Sequence, residues 1–175
     1  KTMTTVNKLY AELLERGADR TTFIVGIGGG IVTDITGFVA STYMRGLRFG
    51  FVATTLLAQV DASVGGKNGV NYEGYKNMVG TFNQPDFVLC DLSMLQTLPD
   101  REFRAGLAEI IKAGLIADRG LFELFENHPI DAFRNDQSLL NEAITRAIRV
   151  KADVVERDER ESGERRKLNL GHTFA

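Results

Sequence analysis

Two charged residues interrupt an almost wholly apolar helical stretch, Ala105 to Ala117, and could carry chemistry there. Glu109 and Lys112 are three positions apart, so both side chains lie on one face of a helix. A charged group among apolar side chains is costly unless it is paired, hydrogen-bonded or bound to a metal. The pattern predicts either a structural ion pair or a functional polar site, and other parts of the chain bear on the choice.

The segment from Asp61 to Asn77 is a second candidate site. Two consecutive glycines precede Lys67, and a glycine pair beside an ammonium group can form a nest that holds a phosphate or a carboxylate. Lys76 follows a further glycine turn and adds another cation. The segment is not a P-loop, because the first glycine and the Ser/Thr after the lysine are missing. A solvated hairpin loop with incidental lysines is the alternative interpretation.

A lysine and a histidine in the C-terminal part could also serve a site. Lys151 falls on the apolar stripe of a helix expected from Ser138 to Glu159, which favours a position facing a polar cavity, although lysine can also snorkel outward. His172 follows a glycine and could be a metal ligand, a general base or an ordinary helix-start residue. If Glu109 and His172 meet, they could share a zinc-like site. Catalytic zinc normally has three protein ligands, so we expect the third outside this chain.

A strand, a glycine turn and a helix follow one another in the N-terminal part. The β-branched run Thr22 to Ile27 leads into three glycines, after which residues Ile31 to Thr42 can form a helix. Glycines let the backbone approach a bulky anion, and a helix N-terminus directs N–H groups at a phosphate. The turn is not the G-x-G-x-x-G fingerprint, so a plain tight turn is an equal alternative to a dinucleotide site.

These candidate residues need a scaffold, which the periodicity of the chain predicts. Strands interleaved with helices indicate an α/β, Rossmann-like part with a mostly parallel sheet over residues 1–98, and an all-helical part over residues 99–175. A loop rich in glycine and asparagine is expected before the third strand. The predicted strands are Thr22 to Ile27, Arg48 to Thr54 and Phe87 to Cys90; the predicted later helices are about Asp100 to Ala117, Leu121 to Glu126, Ile130 to Phe133 and Ser138 to Glu159.

Composition narrows the classes of function. The 175 residues are 43% hydrophobic and 25% charged, which is typical of a globular protein. A formal net charge of -2 gives no basic field, so we expect neither nucleic acid nor a membrane as partner. Cys90 is the one cysteine, which excludes an internal disulfide. No apolar run approaches the roughly 20 residues of a membrane span, and we expect a soluble, cytoplasmic protein.

Six separated motifs together resemble the 3-dehydroquinate synthase family, which catalyses the second step of the shikimate pathway. They occur in the family's order from about Thr22 to the last residue, which is far more specific than any one of them. The motifs are GGGIVTDITGF, TTLLAQVDASVGGKNGVN, the Lys76-Asn77 step, LQTLPDREFRAGLAEIIKAG, KADVV and ERRKLNLGHTF.

The resemblance implies cofactors, a substrate and a residue for each. Glu109 and His172 would bind a divalent zinc or cobalt ion, and Arg45 is similar to an arginine that reaches the neighbouring subunit's site in a homodimer. The implied substrate is the sugar phosphate 3-deoxy-D-arabino-heptulosonate 7-phosphate. Its pocket would be lined by Asp61, Lys67, Asn77, Lys112, Lys151, Arg165 and Asn169. The NAD contacts would be Gly28, Gly29, Gly30, Ile31, Val32, Thr33, Asp34, Thr54, Thr55, Lys67, Lys76, Met94, Leu95, Gln96 and Thr97.

The chain departs from the family pattern at its ends. Ala175 stands where the family has a glycine, and the second histidine of that motif would follow it. We therefore expect this chain alone to be inactive and to be a piece of an active enzyme. Three alternatives stay open: a sister sugar-phosphate cyclase, a metal-dependent polyol dehydrogenase, and a catalytically silent nucleotide-binding domain.

Overall fold

A three-stranded parallel sheet organises the N-terminal part of the chain. The computed structural model describes residues 1–171, so His172 lies outside the described residues. The sheet has the order β1 (Phe23–Gly28), β2 (Arg48–Ala53) and β5 (Val88–Cys90), with all pairs parallel. The predicted α/β fold is confirmed. In a parallel sheet the carboxyl ends of the strands share one edge, where ligands of α/β proteins usually bind.

Helix α2 (Gly30–Thr42) connects β1 to β2 and covers one face of the sheet. Its Phe38 and Val39 are buried in a small core with Val6 of α1 (Met3–Glu15) and Val70. Together with Ile35, these two residues have the i, i+3, i+4 spacing that places them on one face of α2. The packing fixes the start of α2 directly beyond the carboxyl end of β1.

The prediction of a loop before the third predicted strand is wrong. Residues in this region form an antiparallel hairpin of β3 (Lys67–Tyr72) and β4 (Tyr75–Phe82). Glycine allows the two backbones to approach closely, since a Cβ at Gly80 would lie 2.4 Å from the carbonyl oxygen of Asn68. The Asn68 amide is buried and donates to the Gly66 and Asn83 carbonyls. Glycine and asparagine, which usually mark loops, therefore build a strand pair here.

Helices make up the C-terminal part, as predicted. They are α3 (Asp100–Ala117), α4 (Arg119–Asn127), α5 (Ala132–Asn135) and α6 (Gln137–Arg157), and the described residues after α3 include no strand. Asp118 and Asp136 cap α4 and α6 by accepting backbone hydrogen bonds. The helical core also includes Leu56 and Val60, from the segment that follows β2. The two parts thus share buried residues at the junction where the predicted site residues converge.

No helix among residues 1–171 combines the length and the hydropathy needed to span a membrane.

Candidate active site

A cavity of about 350 Å³ lies at this junction. All seven residues predicted for the substrate pocket line it, and Arg45, which the resemblance places at a neighbouring subunit's site, does not. Asp34, Ala62, Val64, Glu161 and Leu168 complete its wall. The seven are Asp61, Lys67, Asn77, Lys112, Lys151, Arg165 and Asn169.

Five separate elements bring these side chains together. Asp61 lies in a π-helix, Ala58–Ala62, whose wide turn is a feature often found at functional sites. The β3–β4 hairpin contributes Lys67 and Asn77, α3 contributes Lys112, and α6 contributes Lys151. A 3-10 helix, Glu164–Asn169, contributes the last two residues. Because these elements are distant in sequence, the cavity exists only when both parts of the chain are folded.

Lys151 is buried at the wall of this cavity, with 9% of its surface exposed. Its ammonium group donates to both the backbone carbonyl and the carboxylate of Asp61. Burial lowers the pKa of Lys151, and the charge of Asp61 opposes that shift. A desolvated lysine at a polar cavity is a strong electrostatic partner for an incoming anion.

Arg165 is almost fully buried, with 2% of its surface exposed. Its guanidinium group donates to the Gly65 carbonyl at 2.8 Å and to the Glu159 carbonyl. Gly65 has a φ of +104°, and a Cβ there would lie 2.6 Å from the guanidinium. Burial lowers the pKa of Arg165. The glycine pair therefore seats Arg165 through a carbonyl group, whereas the sequence suggested a nest of N–H donors.

Glu109 and Lys112 form an ion pair beside the cavity, with 21% and 12% of their side chains exposed. The contact lacks hydrogen-bond geometry, and among the described residues the buried Oε2 of Glu109 has no hydrogen-bond partner. This oxygen is the atom that contacts the ammonium group of Lys112, which balances its charge. Residues 1–171 contain no group of three His, Cys, Asp or Glu that could hold a metal.

The glycine turn lies at the carboxyl edge of the sheet. Gly29 caps α2 without any side-chain cap among the described residues, which leaves the first N–H groups of the helix available to a ligand. The Thr54 amide donates to the Gly28 carbonyl at 3.0 Å. A Cβ at Gly29 would lie 2.9 Å from Cγ2 of Thr55. The turn thus has backbone N–H groups without side-chain caps, and it lies beside the predicted residues Thr54 and Thr55.

Asp34 connects this turn to the cavity. It lies on α2, lines the cavity and forms an ion pair with Lys1. Burial raises the pKa of Asp34, while the contact with Lys1 opposes the shift. The predicted nucleotide site and the predicted substrate pocket therefore share a wall.

Comparison with known proteins identifies the family. Residues 1–105 match the description 3-dehydroquinate synthase N-terminal, and residues 106–175 match 3-dehydroquinate synthase C-terminal. The chain belongs to the 3-dehydroquinate synthase family. It is 54% identical to the 3-dehydroquinate synthase of Nitrosospira multiformis over 99% of this chain and 48% of that protein. The chain thus spans about half the length of the curated relatives it matches.

Two solved structures are similar over nearly the whole chain. One is the 2-epi-5-epi-valiolone synthase of Streptomyces hygroscopicus with NAD⁺ and Zn²⁺ bound, with a TM-score of 0.91 and 33% identity. The other is a 2-deoxy-scyllo-inosose synthase complexed with carbaglucose-6-phosphate, NAD⁺ and Co²⁺, with a TM-score of 0.84 and 30% identity. Both matches include 99% of this chain. They cover 49% of the valiolone synthase chain and 48% of the inosose synthase chain.

Several residues that the family resemblance implies lie away from the cavity. Arg45 is exposed on a turn in which it and Met44 have positive φ values of 69° and 50°. Leu95 is buried in the helical core, whereas its neighbours Met94, Gln96 and Thr97 are exposed. The exposed Lys76 lies on β4 and is not in the cavity wall.

The three residues after the glycine turn differ from one another. Thr33 is buried and its hydroxyl donates to the Gly30 carbonyl, so the hydroxyl is used within the helix. Ile31 and Val32 are exposed apolar side chains at the start of α2.

Sequence reasoning missed Glu161. The run from Glu156 to Glu164 reads as a solvated helix end and loop, yet Glu161 lines the cavity. Its carboxylate forms an ion pair with Lys67 and accepts a hydrogen bond from Asn169 at 2.7 Å. A run dense in charges of both signs carries no signal that separates this glutamate from its neighbours.

Proposed function

We propose that this chain supplies the sugar-phosphate pocket of a 3-dehydroquinate synthase. That enzyme would convert 3-deoxy-D-arabino-heptulosonate 7-phosphate to 3-dehydroquinate and phosphate. The observation that carries the proposal is the convergence of Lys67, Lys112, Lys151 and Arg165 on one cavity. Such a set of cations suits a ligand with a phosphate and a carboxylate, and the similarity to the Nitrosospira multiformis enzyme supports this substrate.

The glycine turn fits NAD as a cofactor. A Cβ at Gly30 would lie 3.0 Å from the Cβ of Ala62, so glycine allows the start of α2 to pack closely against the π-helix at the cavity wall. The uncapped start of α2 suits a pyrophosphate, and the solved cyclases contain NAD⁺. When bound, NAD supplies a hydride acceptor for the C5 alcohol of the substrate and later returns the hydride.

A divalent zinc or cobalt ion fits Glu109 as one of its ligands. Oε2 of Glu109 is buried, and its contact is the ion pair with Lys112 rather than a hydrogen bond among the described residues, so a divalent cation could take over the position of the ammonium group. His172 would be the second ligand, although it lies outside the described residues. A metal at this position would act as a Lewis acid toward the substrate oxygen that loses hydride. We propose no other metal ligand among the described residues.

The residues of the chain bind and orient the substrate. Lys151 and Arg165 are held by carbonyl and carboxylate groups, so they present fixed charges with little reorganisation. Fixing both anionic groups of the substrate holds the reacting carbons in one geometry. Oxidation at C5 acidifies the neighbouring C–H, and the phosphate group of the substrate can accept that proton as it leaves. A strong protein base is therefore unnecessary.

A sister sugar-phosphate cyclase is the second candidate. The high structural similarity to the valiolone synthase favours it. Lys151, Arg165 and Asn169 support a substrate that carries a carboxylate, which favours the heptulosonate phosphate. A neutral polyol has no anionic group for these cations to bind, which argues against a polyol dehydrogenase. A catalytically silent nucleotide-binding domain would have no need of the cavity.

The role of Arg45 and the position of the boundary between the two parts of the chain are also proposals. The exposed turn that carries Arg45 suits a contact with a second subunit, so we propose that the full protein is a homodimer. We propose a boundary between residues 98 and 99, immediately before α3 begins at Asp100. Cutting the chain there would divide the residues that line the cavity.

An assay of the full natural protein that carries this chain tests the proposed function. The protein is incubated with heptulosonate 7-phosphate, with and without NAD and with and without a chelator. We expect phosphate release that requires both NAD and metal, without net accumulation of NADH. Release from a different sugar phosphate alone would favour the sister cyclase. Accumulation of NADH would favour a dehydrogenase, and an absence of any turnover would contradict an enzymatic role.

A further inference from the structure

Glu161 occupies a position suited to a ligand anion. Its carboxylate lies between the ammonium group of Lys67 and the amide of Asn169, two groups of the proposed pocket. Only 22% of its side chain is exposed. Burial raises the pKa of Glu161, but the contacts with Lys67 and Asn169 outweigh this effect and lower the pKa overall. The residue is therefore a charged competitor within the cavity.

The charges in the cavity wall nearly cancel. Lys67, Lys112, Lys151 and Arg165 contribute four positive charges, and Asp34, Asp61 and Glu161 contribute three negative charges, which leaves a net charge of +1. An anion with two or three charges must therefore bind among four cations, of which the three lysines already contact carboxylates. Binding becomes favourable when one of those carboxylates moves away.

Glu161 is the carboxylate best placed to move. Asp61 lies in the π-helix and contacts buried Lys151, and Asp34 lies on the packed helix α2. Glu161 instead lies in the loop between α6 and the following 3-10 helix, with a φ of +60°. Its longer side chain can leave Lys67 by rotation about its own bonds.

The backbone of this loop is held in place while the side chain turns. Asp158 accepts hydrogen bonds from the backbone amides of Ser162, Gly163 and Arg165. The loop can thus release and recover the Glu161–Lys67 contact without unfolding.

We propose that Glu161 is a specificity-determining residue that competes with phosphate-type oxyanions for Lys67 and Asn169. The inference rests on the proposed function only in that these two residues belong to the substrate pocket. An oxyanion with two charges and several acceptor atoms can displace the carboxylate, whereas a weak monoanion cannot. When phosphate is the product, the returning carboxylate opposes its retention.

Titration of the full natural protein with inorganic phosphate by calorimetry tests the inference. Glu161→Gln removes the competing charge, and Glu161→Asp retains the charge but shortens the reach to Lys67. Aspartate also tolerates a positive φ well. Glu159→Gln is the matched control, because its carboxylate contacts Gln84 outside the cavity wall. Lys67→Ala verifies that the signal comes from this cavity.

We expect both Glu161 variants to bind phosphate about three- to tenfold more tightly than the natural protein, as for removal of a partly exposed ion pair. Glu159→Gln should leave the affinity unchanged, and Lys67→Ala should weaken it. Equal affinity in the natural protein and both Glu161 variants would overturn the inference. So would tighter binding in Glu161→Gln and Glu159→Gln but not in Glu161→Asp, since that pattern indicates a general field effect.

A lack of phosphate binding in every variant would also overturn the inference. The proposed function is tested separately by turnover of the heptulosonate phosphate. Turnover with unchanged phosphate affinity would refute the role of Glu161 alone, and an absence of turnover would refute the proposed function.

Discussion

Replacing Lys151 with methionine separates a functional lysine from a structural one. The substitution removes a buried ammonium group that donates to the carbonyl and carboxylate of Asp61. Breaking a fully buried ion pair costs about 3–5 kcal/mol, but the Asp61 side chain is 37% exposed and can be rehydrated. Folding of the variant also avoids the free-energy cost of removing an ammonium group from water. We therefore expect the free energy of unfolding to fall by only about 0–2 kcal/mol.

Ligand binding should suffer more than stability. Loss of a charged hydrogen-bond donor from an anion site costs about 2–3 kcal/mol, which is about 30- to 150-fold in affinity. Urea unfolding measures the stability of Lys151→Met, and calorimetry measures its affinity for phosphate or substrate. Arg149→Met is the matched control, because it removes an exposed cation of the same helix that does not line the cavity.

The combination of the two results decides the question. A variant that loses more than about 3 kcal/mol of stability while keeping its ligand affinity would show that Lys151 is a structural ion-pair partner. That result would refute the reasoning.

Three further predictions concern the frame around the cavity. A Cβ at Gly106 would lie 2.6 Å from the Cβ of Leu56, so Gly106→Ala should lower the free energy of unfolding by about 1–3 kcal/mol in urea titration; an unchanged midpoint would contradict this packing. Backbone hydrogen bonds from Arg165, Gly163 and Ser162 hold the pKa of Asp158 well below its usual range. The loop should therefore be fully stabilised above the ordinary carboxyl range and lose protection from hydrogen exchange as the pH falls below it, whereas Asp158→Ala should lack this protection at every pH. Glu109→Gln should lower the affinity of the full natural protein for zinc at least about tenfold with unchanged NAD binding, as measured by calorimetry after chelation; retained zinc affinity would exclude Glu109 as a ligand.

Periodicity and glycine placement predicted the main elements well. The run Thr22 to Ile27 and the glycines after it gave the strand, turn and helix that begin the parallel sheet. Lys151 stood out because a lysine on an apolar stripe conflicts with burial, and such a conflict marks a polar contact. These features depend on local spacing, which a single sequence contains.

Features created by distant residues were less predictable. The β3–β4 hairpin was read as a loop because its glycines and asparagines disfavour strands, and only the close approach around Gly80 explains them. The role of Glu161 depends on Lys67, which is 94 positions away in sequence. The π-helix that carries Asp61 likewise has no periodic signature that separates it from an ordinary turn.

The same limit applies to residues taken from the family resemblance. Leu95 and Gln96 are adjacent in sequence and both line a second cavity, yet Leu95 is buried in the helical core and Gln96 is exposed. A motif indicates that a segment approaches a ligand, but the packing of each side chain decides which residues can contact it.

A crystal structure of the full natural protein with a non-hydrolysable phosphonate analogue of the substrate tests the central claim most directly. We predict that the analogue occupies the cavity, with its anionic groups at Lys67, Lys151 and Arg165 and with Glu161 turned away from Lys67. An analogue bound elsewhere, with the cavity lysines still paired to their carboxylates, would contradict the account.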